Sequence, residues 1–149
     1  VRVKYPDDCP ALVCDDSPVP SSLIEVRKLY TAAEEVALID AVHAALVAAF
    51  QIPEEDKHVR LVCHEPHRFA YSPKLANPDL YTLVTIDCFV GRSVQAKRNL
   101  YGEIVNRLGA FEIPADHITI LLRESALENW GVRGGQAACD VDLGFDINV

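Results

Sequence analysis

Arg92 stands where a cation, a tight turn and a helix start coincide. It falls in Val90-Gly91-Arg92-Ser93, between the apolar run Leu80–Phe89 and a stretch whose apolar residues, Val94, Tyr101, Ile104, Val105, Leu108 and Phe111, recur at helical spacing. Gly91 supplies freedom for the turn, and Ser93 is a good N-cap. The unpaired N–H groups of a helix start and a guanidinium beside them suit an anion, above all a carboxylate held by two parallel hydrogen bonds. A second reactive group is the α-amine of Val1, since the sequence contains no Met and begins at a Val. An α-amine titrates at about 7.7–8.0, and burial or a neighbouring cation lowers that, leaving a neutral amine able to act as a general base or attack a carbonyl. Val1 also reads simply as the first residue of an edge strand.

Metal chemistry is not expected. Cys63-His64-Glu65-Pro66-His67 offers ligand types, but Pro66 prevents the regular helix that would make them converge. The five cysteines are odd in number and have no CxxC spacing, so they read as buried thiols rather than a disulfide framework or zinc site. No cofactor is expected. With 22 acidic against 14 basic residues and a net charge of -8, nothing tracks a phosphate backbone, which excludes nucleic acid as a partner class. No run of 18 apolar residues and no signal-peptide pattern occur, so no membrane partner and a cytoplasmic location are expected.

The elements that must position these groups follow in order. Val1–Tyr5 alternates and reads as a strand; Pro6–Ser22 reads as a loop, with a helical turn through Leu23–Tyr30. Thr31 opens an amphipathic helix with Val36, Ile39, Val42, Leu46, Val47 and Phe50 as its buried stripe, ending before Pro53. Strands follow at His58–Cys63, Leu80–Phe89 and His117–Leu122, and the tail after Arg123 reads as loop with a short hairpin or edge strand. Ala49-Phe50-Gln51-Ile52-Pro53 parallels Ala110-Phe111-Glu112-Ile113-Pro114, and Val59–Glu65 parallels Ile118–Glu124, at offsets of about 60 residues. The chain therefore reads as one α/β (α+β) domain, 1–149. Two tandem β-α-β units form a four-stranded sheet with two helices on one face, and the first copy is lengthened by an insertion at about 6–30. The other sheet face calls for cover, most simply by further copies of the chain.

The β-α-β duplication, the Gly91-Arg92-Ser93 turn, Asp40-Ala41-Val42-His43, the Ile52-Pro53 to Asp56 turn and Asn129-Trp130-Gly131 followed by Gly134-Gly135 together resemble the tautomerase superfamily. The likeness is to its malonate semialdehyde decarboxylase and cis-3-chloroacrylic acid dehalogenase branch. The resemblance implies a homotrimer with a barrel-like core and an active site at the chain N-terminus, where an N-terminal proline is the catalytic acid or base. By the same resemblance Arg92 binds substrate carboxylate, and Asp56 is the catalytic acid beside the amine. His43 and Trp130 belong to the substrate site, Trp130 as an aromatic wall. Val1 replaces the proline, and Phe89 or Val90 stands where a second arginine falls. On residue chemistry alone, Asp56 also reads as a turn residue, His43 as a hydrogen-bonded structural histidine and Trp130 as packing. The functional expectation is a small-carboxylate protein with weak tautomerase, hydratase/dehalogenase or decarboxylase activity. The alternatives are a non-catalytic trimeric carboxylate-binding protein and, further removed, a ferredoxin-like regulatory domain.

Overall fold

A computed structural model describes residues 20–149, so Val1 and the strand expected at Val1–Tyr5 lie outside the described residues. The first described strand is β1 (Ser21–Val26), which corrects the helical turn expected over Leu23–Tyr30. Ser22, Ile24 and Val26 are buried while the residues between them are half-buried, a period of two that only a strand produces. Residues 27–31 alone then join β1 to helix α1 (Ala32–Phe50). No long strand-to-helix insertion separates the first described strand from its helix; residues 21–30, assigned to it from sequence, are the strand and its turn.

Thr31 caps α1 reciprocally. Its hydroxyl accepts the Glu34 N–H at 3.3 Å, and the Glu34 carboxylate accepts the Thr31 N–H at 2.8 Å. Gln51 closes the helix in the left-handed region (φ 53°), with its N–H bonded to the Val47 carbonyl. Strand β2 (Val59–Cys63) follows, then a long loop, β3 (Thr82–Phe89), α2 (Val94–Leu108) and β4 (Ile118–Ser125), with a small hairpin of β5 (Gly131–Val132) and β6 (Gln136–Ala137). Glu112, the counterpart of Gln51, is likewise left-handed at φ 61°, so the duplicated sequence carries a duplicated helix ending.

The sheet order is β2-β1-β3-β4, with β1 parallel to β2, β3 parallel to β4, and the two units joined by the antiparallel β1–β3 pair. Two complete β-α-β units side by side are what the repeat predicts. A ferredoxin-like domain is excluded, because there each unit is split by an intervening strand, whereas here β1 and β2 are direct neighbours. Both helices pack on one face, where Ile24, Val26, Val84 and Ile86 meet Leu38, Val42, Leu46 and Phe50 of α1 and Leu100, Ile104 and Leu108 of α2. The stripe on α1 is narrower than expected: Leu38 belongs to it, and Val36, about 200° around the helix from Leu38, is 57% exposed. The strand pleat turns Leu23, Val62, Leu83 and Leu121 to the opposite, helix-free face. Among the described residues no helix is long and apolar enough to cross a membrane.

Candidate active site

The antiparallel register pairs Ser21 with Asp87, and the parallel register pairs Ser22 with Val59. Extended by one or two residues, these ladders set Pro20 opposite Cys88 on one side and Lys57 on the other. The start of β1, the loop entering β2 and the exit of β3 therefore share one sheet end. Phe89 pairs with Ser125 across β3–β4, so the segment after β4 leaves from the same end. Asp56, Arg92 and Trp130, singled out separately in the sequence, are brought to that end by three different connections. Pro20, which the sequence reading passed over, is buried there, immediately before β1. The repeat contained the signal: the offset of 61 between the Ala49 and Ala110 motifs, subtracted from the start of β3 at Thr82, falls on Ser21.

Arg92 is only 4% exposed. One of its terminal nitrogens makes a long 3.4 Å bond to the Phe89 carbonyl, and its guanidinium lies 5.1 Å from the Phe50 ring centroid. Its Nε and Nη2 are buried and make no hydrogen bond among the described residues. Burial pushes the Arg92 pKa down, against the opposing influence of Cys88, Glu124 and Asp146. The neighbouring Cys88 thiol is pushed up to about 11, again by burial, although Arg92 pulls the other way. This corner is thus dry and short of hydrogen-bond acceptors, a setting in which a carboxylate would be gripped hard. Ser93 caps α2 as expected, its hydroxyl accepting the Ala96 N–H at 3.0 Å.

Asp56 is 4% exposed, in a tight turn where its N–H donates to the Pro53 carbonyl. His43 holds the same loop: its Nε2 donates to the Glu54 carbonyl at 2.7 Å, which leaves Nδ1 as the acceptor nitrogen. Nδ1 has no partner. His43 lines a cavity of about 520 Å³ with Asp40, Glu54 and Lys57, a lining that includes neither Asp56 nor Arg92 nor Trp130. The histidine is therefore joined to the others through the loop it braces. Trp130 meets the Phe89 ring edge-on with centroids 4.9 Å apart, and its indole N–H donates to the Ser125 hydroxyl at 2.7 Å. With Phe89, Ala138 and Leu143 it forms a small second core that walls the end of β3. Among the described residues no cluster of His, Cys, Asp or Glu is arranged to hold a metal ion.

A comparison with curated protein sequences finds no match. Solved structures do match. A malonate semialdehyde decarboxylase is 22% identical, with 78% of this chain and 91% of that one covered and a TM-score of 0.68. A fused 4-OT described as an asymmetric trimer is 16% identical, covering 80% and 97%, with a TM-score of 0.72. A protein named N1, of the cis-3-chloroacrylic acid dehalogenase family, is 20% identical, covering 78% and 82%, with a TM-score of 0.62. These likenesses establish the fold, and the sequence itself establishes the family. Matched by the family model described as "Tautomerase enzyme" over residues 56–133, more than half its length, the chain belongs to the tautomerase superfamily.

Proposed function

We propose that the protein binds a small carboxylate at Arg92 and acts on it by tautomerase, hydratase/dehalogenase or decarboxylase chemistry. The observation that carries this reading is the buried guanidinium with two nitrogens lacking acceptors among the described residues. A carboxylate supplies both acceptors and the countercharge, with Trp130 and Phe89 excluding water and so strengthening the interaction. Catalysis needs an amine beside Asp56. Val1 is one source, and lies outside the described residues. The fold supports Pro20 more directly, because it immediately precedes β1 and neighbours Asp56 along the sheet end. In the 149-residue chain the Pro20 nitrogen is locked in the Val19–Pro20 peptide bond and is no base. In a chain starting at Pro20 it is a secondary amine able to carry a proton, with Asp56 able to hold or relay that proton.

The helix-free sheet face supports assembly into a homotrimer, since Val62 and Leu121 are 41% and 49% exposed beside Leu23 and Leu83. The fused 4-OT structure is described as a trimer. The experiment is turnover of phenylenolpyruvate, 3-haloacrylates, an acetylenic acid and malonate semialdehyde by the full chain and by a chain beginning at Pro20. Activity confined to the shorter chain and reduced on the order of 100-fold or more by Arg92→Ala is expected from a lost charge-assisted carboxylate pair. Activity in the full chain that vanishes on blocking the α-amine assigns the chemistry to Val1. Silence in both, with malonate still bound, supports the second reading, a non-catalytic carboxylate-binding protein.

A further inference from the structure

The anion corner already has an occupant. The Ser93 N–H, the first free donor of α2, donates at 2.7 Å to the main-chain oxygen of Val149. Two residues upstream the Ile147 carbonyl lies against Gly91, 3.0 Å from where a Cβ would stand, and the Asn148 side-chain oxygen is 3.1 Å from the same point. A Cβ at Gly91 would push the segment away by a few tenths of an ångström, and the φ of +132° itself favours glycine. Val149 packs on the main core and Ile147 on the Phe89 cluster, so the segment is docked over the turn along its length. The charge of Asp146 reaches Arg92. A main-chain oxygen thus sits on a donor that an incoming anion would use, and the Asp146 carboxylate, whose Oδ1 accepts the Asn148 N–H at 2.8 Å, adds negative charge in the neighbourhood of Arg92, whose Nε and Nη2 have no hydrogen-bond partner among the described residues.

We propose that the segment 146–149 is an intramolecular competitor for the carboxylate site: its Val149 main-chain oxygen must withdraw before a ligand takes the Ser93 N–H, and the negative charge of Asp146 opposes an incoming anion. The inference rests on the reading of Arg92 as a carboxylate site and adds its regulation. A segment docked about nine-tenths of the time weakens apparent affinity about tenfold, because only the undocked fraction accepts ligand. The Asp146 charge opposes a dianion such as malonate more than a monoanion such as acrylate.

The test is titration of malonate and of acrylate into the full chain, a chain ending at Phe145 and the variant Asp146→Asn. The expected result is about tenfold tighter malonate binding by the shortened chain and about threefold by Asp146→Asn, with a smaller gain for acrylate. Thermal unfolding checks that the shortened chain is folded; if it is not, Asp146→Asn decides, since it leaves the backbone contacts in place. Equal or weaker malonate binding in the folded variants overturns this inference alone. Malonate binding by none of the chains overturns the carboxylate reading and this inference with it.

Discussion

Two arginines, Arg27 and Arg92, each follow a strand that ends a pairing with β1 or β3, each is largely buried, and they are used in opposite ways. Arg27, just past β1, donates from Nη1 to the Pro66 carbonyl at 2.9 Å and to the Phe69 carbonyl, reaches Asp79 at 3.4 Å from Nη2, and lies 4.3 Å from the Tyr71 ring centroid. It staples the long loop between β2 and β3 to the far end of the sheet. Arg92, past β3, has a single long bond to Phe89 and two nitrogens with none. Arg27 too has a buried nitrogen, Nε, without a partner among the described residues, but its terminal nitrogens are spent on carbonyls and a carboxylate. In the proposed reading the shortage at Arg92 is met by a ligand.

The largest expected effect sharpens that comparison. Arg27→Met should cost about 3 kcal/mol of stability, because it removes charge-assisted bonds to two carbonyls and strands those carbonyls in a partly closed loop. The Asp79 pair adds little, since that carboxylate is exposed. Chemical denaturation checks it, and protease resistance across residues 64–81 should fall while malonate affinity stays unchanged. A loss under about 1 kcal/mol would remove Arg27 as a staple and with it the contrast.

A smaller effect reads the dryness of the Arg92 corner directly. The Cys88 thiol is raised in the folded protein to about 11 from an ordinary value of 9.0, chiefly by burial. The folded state therefore keeps its proton while the unfolded chain loses it. That contribution to stability is fully present below about pH 9 and is lost as pH rises toward 11, by about 2 kcal/mol. In Cys88→Ala the alkaline fall should be shallower over this window. At pH 8 a thiol reagent should label Cys63 and Cys139, which are exposed, and spare Cys88. Rapid labelling of Cys88 in the folded protein would show the corner to be wet.

The architecture was legible because it repeats. Strong local signals, the apolar stripe opening at Thr31, the N-cap at Ser93 and the paired Phe-x-Ile-Pro endings of both helices, place both α-helices and three of the strands within a few residues. What was missed was β1, read from sequence as loop and helical turn. Ser21–Val26 contains Ser22 buried and Glu25 half-exposed, so its alternation is faint in hydropathy and clear only once β3 and β2 flank it. Arg92 was legible from turn chemistry alone. Its shortage of acceptors was not, because burial by Phe50, Phe89 and the chain end is a long-range outcome that no local pattern carries. Arg27 was invisible for the same reason, its partners lying about 40–50 residues away.

The smallest expected effect carries the opposite sign and puts the comparison at most risk. In the ligand-free protein Arg92→Met should leave stability unchanged or raise it by about 1 kcal/mol. The substitution keeps an apolar stem against Phe50, removes a charge that burial penalises, and strands only the Phe89 carbonyl, whose bond was already long at 3.4 Å. Malonate should then lose its ability to raise the unfolding temperature, because linkage stabilises only a protein that binds the ligand. The paired readout separates a site residue from a structural one. A site residue gives stability unharmed and ligand linkage gone, whereas a structural one gives stability lost. If Arg92→Met destabilises the free protein as much as Arg27→Met does, then both arginines are staples, and the acceptors of Arg92 are to be sought within the chain.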